Sequence, residues 1–227
     1  MVLEFYFDVA SPPSYIAHER LPGIVERTGA ALILKPVLAG GIFKLSGNSP
    51  PVAVPAKRTY MMQVELPRLA REHGIVLNFD PGAPFDPLPL MRGAMVAAQL
   101  DRLGEYTGAL FRAMWRDARD LSDPAVAADV LNAAGFDAEM IGARSGAQSI
   151  KTQLIEATEA AVDRGLFGVP TFFIGSEMYF GHDRLIPVAI SHDTIAHSLR
   201  VIEAILSGLS LKSFHAAQQA STISSWF

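Results

Sequence analysis

The chain has 227 residues, half of them hydrophobic and 19% charged, with a formal net charge of −4 at pH 7. This composition is typical of a globular protein with one sizeable core, and the scattered Lys and Arg residues form no basic stripe for nucleic acid. The complete absence of Cys excludes disulfides, thiolate metal sites and a cysteine nucleophile, so any thiol chemistry must use sulfur from outside the chain. We also expect no metal ion.

The first part of the chain predicts a strand, a helix and a second strand. Val2–Phe7 alternates and is rich in β-forming residues. Pro12–Thr28 has apolar residues at helical intervals, and Gly29 is a typical residue to end a helix. Residues 31–37 again have the pattern of a strand. This order is that of a βαβ unit, in which a right-handed crossover joins two parallel strands.

The stretch over residues 38–55, LAGGIFKLSGNSPPVAVP, is rich in Gly, Ser and Pro and is too long for an ordinary connection. We interpret it as a loop that is either mobile or functional. Helical patterns follow as far as about residue 165, with a kink or break expected at Pro67. The predicted helices cover residues 56–73, 88–103, 105–119, 124–134 and 148–164.

The chain returns to β character at residues 169–174 and 177–180, which indicates a hairpin around Gly175. A last helix is predicted over residues 183–205. The order βαβ, helical block, ββα predicts an α/β, thioredoxin-like fold with a large all-helical insertion. The domains are then residues 1–55 with 165–206 (thioredoxin-like, discontinuous), residues 56–164 (helical insertion) and residues 207–227 (C-terminal tail).

The sequence offers no sign of a membrane or export signal. No apolar run approaches the roughly 18 to 20 residues of a membrane span, and the first residues lack the basic and apolar regions of a signal peptide. We therefore expect a cytoplasmic protein with neither a membrane nor a nucleic acid as its partner.

Ser11 stands at the predicted turn between the first strand and the first helix. A helix N-terminus carries unpaired N–H groups and about half a positive charge, so it attracts an anion. Ser is also a preferred N-cap residue, and Pro12 suits the first helical position. Ser11 is accordingly interpreted as a helix cap and as a candidate donor to a bound anion.

Two later motifs acquire meaning if the fold is thioredoxin-like. A proline that enters the third strand of such a fold is commonly cis and faces the first helix, which leaves the main chain of the preceding residue free to pair with a peptide-like ligand. Val169 and Pro170 stand at that position. Asp183 either caps the last helix or binds an ammonium group, and His182 is either an acid–base candidate or an ordinary surface residue.

Four blocks of sequence resemble the family of 2-hydroxychromene-2-carboxylate isomerases and kappa-class glutathione transferases, which have a DsbA-like fold. The blocks occur in the expected order and spacing, and they are FDVASPPSY, GGIFKLSGNSPP, PAKRTYM and FGVPTFFIGSEMYFGHDRL. The resemblance implies a glutathione-dependent enzyme, in which the cofactor brings the sulfur that a Cys-free chain lacks.

The resemblance also implies roles for individual residues around glutathione. Ser11 matches the catalytic serine, whose hydroxyl donates to the glutathione sulfur and favours the thiolate. Val169 matches the residue whose main chain pairs with the cysteinyl part. His182 and Asp183 match the segment that holds the γ-glutamyl end.

The polar residues of the long stretch complete the implied site. Asn48 and Lys57 match residues that contact glutathione in transferases and the substrate in isomerases, and Lys44 joins Asn48 as a candidate for substrate binding. Pro13 departs from the family pattern, which has an aromatic residue there, and a different substrate preference is a possible result.

Three functions follow from the resemblance. The leading one is an isomerase that acts on an aromatic pyruvate-type acid in aromatic-compound catabolism. The alternatives are a kappa-class transferase that conjugates glutathione to electrophiles and a catalytically idle glutathione-binding module. A dithiol oxidoreductase of the same fold is excluded, because the chain has neither thiol. The resemblance and the apolar helical surface also predict a homodimer.

Overall fold

The structure is a computed structural model that describes residues 2–78 and 86–184. Its sheet has four strands in the order β2-β1-β3-β4. The strands are β1 (Val2–Phe7), β2 (Ala31–Pro36), β3 (Thr171–Ile174) and β4 (Glu177–Phe180). Strand β2 is parallel to β1, while β3 is antiparallel to both β1 and β4. This mixed sheet confirms the predicted thioredoxin-like fold.

Nine α-helices lie within the described ranges. They are α1 (Pro12–Thr28), α2 (Ala39–Ser46), α3 (Pro55–Tyr60), α4 (Leu66–Glu72), α5 (Leu88–Gln99), α6 (Leu103–Phe111), α7 (Pro124–Ala133), α8 (Ala138–Ser145) and α9 (Gln148–Asp163). Helix α1 confirms the prediction and ends at Gly29, which has a φ of 65° and donates its N–H to the Val25 carbonyl. Helix α8 was not predicted; its N-terminus is capped by the Asp137 carboxylate.

The interpretation of residues 38–55 as a loop was wrong over its first half, because residues 39–46 form α2. The Gly40-Gly41 pair resembles a helix breaker, yet a Cβ atom on Gly41 would lie 3.0 Å from Cγ2 of Thr158. Glycine therefore allows α2 to pack closely against α9. Ile42 is fully buried in this contact region, and burial of an apolar face outweighs the poor helix propensity of two glycines.

The helix predicted over residues 56–73 is interrupted, as the sequence indicated, although the interruption precedes Pro67. Helix α3 continues into one π-helical turn, Met61–Glu65, before α4 begins. Pro67 is the second residue of α4, inside a run whose backbone stays helical from α3 onwards. Its missing N–H falls directly after the π-helical turn, where the regular pattern of i→i−4 bonds is already interrupted. A second π-helical turn, Arg112–Arg116, extends α6.

One buried cluster joins the sheet to the helical block. Phe5 stacks on Phe172 with ring centroids 5.1 Å apart, and Phe7 lies 5.8 Å from Phe111 of α6. Met91 of α5 is buried in the same cluster. The division into a thioredoxin-like domain and a helical insertion remains a prediction.

The predicted hairpin around Gly175, which has a φ of 60°, is confirmed. The helix predicted over residues 183–205 and the C-terminal tail lie outside the described residues, apart from a short 3-10 turn, His182–Arg184. In the part of the chain that the structure describes, no helix combines the length and the apolar character needed to cross a membrane.

Candidate active site

Ser11 caps α1 and keeps one hydrogen to donate. Its backbone is extended, its side-chain oxygen accepts the Ser14 N–H at 3.2 Å, and its own N–H donates to the Asp8 carbonyl at 3.0 Å. A serine hydroxyl can accept and donate at the same time. The Ser11 side chain is partly exposed, so its hydrogen is available to a ligand while its oxygen serves the helix.

The first turn of α1 offers a ligand few main-chain donors. Pro12 and Pro13 have no N–H, and the N–H groups of Ser14 and Tyr15 donate to the side chain and the carbonyl of Ser11, respectively. An anion at this helix end would therefore depend on the Ser11 hydroxyl and on the helix dipole. The unpaired N–H groups expected at this helix end are thus either missing or engaged in residues 12–15.

Asp8 lies directly behind this turn and is completely buried. Its Oδ1 accepts the Ala10 N–H at 2.9 Å, and its Oδ2 accepts the Ala39 N–H at 2.8 Å. Burial raises the pKa of Asp8 to about 6, although these two N–H donors lower it and thereby offset part of the effect. In the sequence, Asp8 stood at the tip of an apolar strand and within the block FDVASPPSY, but no role was predicted for it.

The Val169–Pro170 peptide bond is cis, as the sequence predicted. Thr171 pairs with Tyr6 in the antiparallel register of β3 and β1, and continuing that register places Val169 level with Asp8. Val169 therefore lies at the end of the sheet from which the Ser11 turn emerges. Among the described residues, no hydrogen bond uses the N–H or the carbonyl of Val169, which leaves both groups available to a peptide-like ligand.

His182 is fixed by the first helix. Arg20 of α1 donates from Nη1 to the His182 carbonyl at 2.8 Å. Burial lowers the pKa of His182 below its ordinary value, although the Asp183 carboxylate acts in the opposite direction. The buried Nδ1 atom of His182 finds no hydrogen-bond partner in the described ranges, whereas the Asp183 side chain is largely exposed. An imidazole with an unused ring nitrogen suits a polar ligand.

A cavity of about 460 Å³ brings two of the predicted residues together. Lys57 and His182 both line it. The other lining residues are Pro51, Ala56, Tyr60, Met61 and Glu65. Its walls therefore combine apolar surface with one ammonium group, one carboxylate and one imidazole. Tyr60 was part of the block PAKRTYM but had no predicted role, and Glu65 stands within a continuous helical pattern that does not distinguish it.

The remaining predicted residues lie outside this cavity's lining. Asn48 donates from Nδ2 to the Phe167 carbonyl at 2.7 Å, which holds the end of α2 two residues from Val169. Lys44 is exposed in the last turn of α2. Neither Ser11 nor Val169 lines this cavity.

The four-stranded mixed sheet and its helices define a thioredoxin-like protein, and the polar groups at the end of β1 mark a candidate ligand site. A family model described as a DSBA-like thioredoxin domain matches residues 2–189. The chain belongs to that family, and within it to the group of 2-hydroxychromene-2-carboxylate isomerases and kappa-class glutathione transferases, as the sequence resemblance predicted.

Three similar proteins support this assignment. The chain is 30% identical to a 2-hydroxychromene-2-carboxylate isomerase of Pseudomonas putida, over 82% of this chain and 91% of that protein. It is also 30% identical to glutathione S-transferase kappa 1 of Homo sapiens, over 81% of this chain and 87% of that protein. A solved structure of a 2-hydroxychromene-2-carboxylate isomerase superposes with a TM-score of 0.81 at 26% identity, covering 89% of this chain and 99% of the other. The names of these relatives are consistent with the predicted glutathione-dependent enzyme.

Proposed function

We propose that this chain is a glutathione-dependent isomerase of the 2-hydroxychromene-2-carboxylate isomerase type, acting on an aromatic pyruvate-type acid in aromatic-compound catabolism. The observation that carries the proposal is the Ser11 hydroxyl. Its oxygen accepts the Ser14 N–H, so its hydrogen remains free for an anion at the first turn of α1. Kinship with isomerases along most of the chain supports the same reading.

The residues present fit glutathione, a peptide with a thiol, two carboxylates and an ammonium group. Val169 has an N–H and a carbonyl that no described residue uses, which suits the cysteinyl part of the peptide. Asp183 carries a carboxylate for the ammonium group, and His182 and Lys57 offer polar contacts to the carboxylates. Asn48 joins this set through its position next to Phe167.

When bound, glutathione supplies a thiolate that adds to a conjugated carbon and is later released, so it is not consumed. The hydroxyl of Ser11 donates to the sulfur, and with the dipole of α1 it lowers the thiol pKa from about 8.5 towards neutrality. Lys44 and Asn48 are the candidates for contact with the carboxylate of the substrate. The apolar wall formed by Pro51 and Met61 accepts the aromatic ring.

The test is to mix the purified protein with 2-hydroxychromene-2-carboxylate, with and without a catalytic amount of glutathione, and to follow absorbance together with total thiol. The proposal predicts conversion that glutathione stimulates and that leaves the thiol concentration unchanged. Conversion that does not respond to glutathione, or an absence of conversion, contradicts it.

A kappa-type transferase is the second candidate, and the largely apolar lining of the cavity favours it. Loss of thiol when glutathione and a chlorinated nitroarene are mixed with the protein would assign transfer. The third candidate, an idle glutathione-binding module, predicts binding by calorimetry without turnover of either substrate.

We further propose a cytoplasmic homodimer. Val52, Val54, Tyr60 and Val64 are each at least 40% exposed along one short stretch of the chain, and such a group of large apolar side chains is suited to an interface between copies. Light scattering after gel filtration tests the dimer.

A further inference from the structure

Asp8 is a buried acid that the proposed chemistry does not use. Its side chain has no exposed surface, and within the described ranges no Lys, Arg or His forms an ion pair with it. A buried carboxylate without a cation is costly unless hydrogen bonds compensate it. Asp8 stands three residues before Ser11, so a role close to the candidate thiol site is expected.

The carboxylate joins two segments that are far apart in the sequence. Oδ1 accepts the N–H of Ala10 within the Ser11 turn, and Oδ2 accepts the N–H of Ala39, the first residue of α2. The Asp8 carbonyl also accepts the Ser11 N–H. One residue therefore holds both the turn that carries the candidate donor and the start of the neighbouring helix.

Helix α2 in turn leads to the other side of the candidate site. Its start is held by two successive bonds, from Leu38 N–H to Thr158 Oγ1 at 3.1 Å and from Ala39 N–H to Asp8 Oδ2. Its end leads to Asn48, and the chain then enters α3 with Lys57. The Asp8 carboxylate thus connects the Ser11 turn with the start of the helix that precedes the cavity-lining segment.

We propose that Asp8 is a positioning residue for the thiol site, and that its carboxylate holds the Ser11 turn against the first turn of α2. The inference rests on the proposed function, because the group that it aims is the Ser11 hydroxyl. Asparagine cannot replace it, since a side-chain amide has one acceptor oxygen for two N–H donors and its NH₂ group would face the second donor. Such a mismatch in a buried site displaces the turn.

The charge of Asp8 has a separate and opposite effect. A buried anion next to the first turn of α1 disfavours a second anion there, so its removal lowers the pKa of a bound thiol. Asp8 is mostly ionised at neutral pH, and Asp86 is the described charged residue whose field acts on it. The effect of displacing the Ser11 turn and the effect of removing the Asp8 charge are therefore distinguishable, because they change the pKa of the bound thiol in opposite directions.

Two variants separate the positioning effect of Asp8 from the effect of its charge. Asp8→Asn removes the charge and one acceptor, whereas Ala39→Pro removes the donor to Oδ2 and leaves the charge in place. Position 39 can accept proline, because proline suits the first helical position and Leu38 has the extended backbone that suits a residue before proline. We expect both variants to lower kcat by about 10- to 100-fold. The KM for glutathione should stay within about threefold. Displacement of the Ser11 donor should raise the pKa of the bound thiol in both variants, and in Asp8→Asn the loss of the negative charge should offset part of that rise.

The matched control is Asp137→Asn, which removes a carboxylate that caps the start of α8 through the Met140 N–H. It should leave kcat and the thiol pKa unchanged. Amide hydrogen exchange gives a readout independent of turnover, with faster exchange expected at Ala10 in Asp8→Asn than in the wild type.

The outcomes of these variant measurements can be told apart from those of the isomerase assay that tests the proposed function. An inactive wild-type protein overturns the proposed function and this inference with it. An active wild-type protein whose kcat is unchanged in folded Asp8→Asn or in Ala39→Pro overturns this inference alone. If Asp8→Asn does not fold, Ala39→Pro alone decides.

Discussion

Ser11 illustrates how one hydroxyl serves both structure and chemistry. The lone pair that caps α1 is engaged by Ser14, and the hydrogen on the same oxygen is the part left for a thiolate. Capping and catalysis therefore do not compete at this residue. The sequence predicted both roles but not the reason for their compatibility, which depends on the distance between Ser11 and Ser14.

Pro13 removes a donor from the same turn. Pro13→Ala adds an N–H at the second helical position, where it points towards the ligand end of α1. We expect the thiol pKa of bound glutathione to fall, which increases the thiolate fraction at mildly acidic pH by up to about tenfold. Ultraviolet absorbance of the thiolate as a function of pH measures it.

The control is Pro22→Ala, an exposed proline further along α1. It alters the same helix without reaching the ligand end and should leave the thiol pKa unchanged. Equal pKa values in Pro13→Ala and the wild type would show that the added N–H does not reach the sulfur.

At the scale of elements, α2 depends on one close contact. A methyl group on Gly41 would press on Thr158, whose Oγ1 donates to the Leu154 carbonyl and accepts the Leu38 N–H. Gly41→Ala should therefore lower the free energy of unfolding by about 1–3 kcal/mol, as measured by urea denaturation.

The neighbouring glycine provides a matched control. A Cβ atom on Gly40 would meet open space, and Gly40→Ala should raise the free energy of unfolding by about 0.5–1 kcal/mol through its helix propensity. If the two variants change stability by the same amount, close packing of α2 on α9 is not what requires Gly41.

The elements also show what pattern alone can predict. Strands β1 and β2 and helix α1 have clear periodicity and end signals, and their bounds agree with the prediction to within one residue. Helix α2 was missed because its stability comes from contact with α9, which is distant in sequence. The two π-helical turns have no signal in local propensity.

At the scale of the whole molecule, Asp8 links stability to pH. Its pKa is about 6 in the folded chain, against an ordinary value of 3.8. The folded state binds the proton of the Asp8 carboxyl group more tightly than the unfolded state does. The stabilising contribution of this proton to the free energy of unfolding is therefore fully present below pH 3.8 and is lost as the pH rises through 6.

This linkage is measured as the difference in free energy of unfolding between the wild type and Asp8→Asn. The difference should change by roughly 2–3 kcal/mol, to the disadvantage of the wild type, between about pH 4 and pH 7. Taking a difference cancels the titration of other groups such as His182. A difference that does not vary with pH would mean that the pKa of Asp8 is ordinary.

The architecture of the described residues was largely predictable, because the βαβ start, the helical block and the hairpin of β3 and β4 each have a local signature. The site was predictable in part. Ser11 and the cis Val169–Pro170 bond stand in recognisable motifs, whereas the Asp8 carboxylate bridge arises from contact between residues 31 positions apart. Arg20 was likewise not predicted, because its role is to hold the His182 carbonyl.

The central claim is that the Ser11 hydroxyl stabilises a glutathione thiolate at the start of α1, and the most direct measurement is the thiol pKa of bound glutathione in the wild type and in Ser11→Ala. The wild type should bring it below the free value of about 8.5, and Ser11→Ala should raise it and reduce kcat/KM by about 100-fold. Asp123→Ala, which removes the cap of α7, should lower stability without changing the thiol pKa. The same thiol pKa in the wild type and Ser11→Ala would contradict the claim.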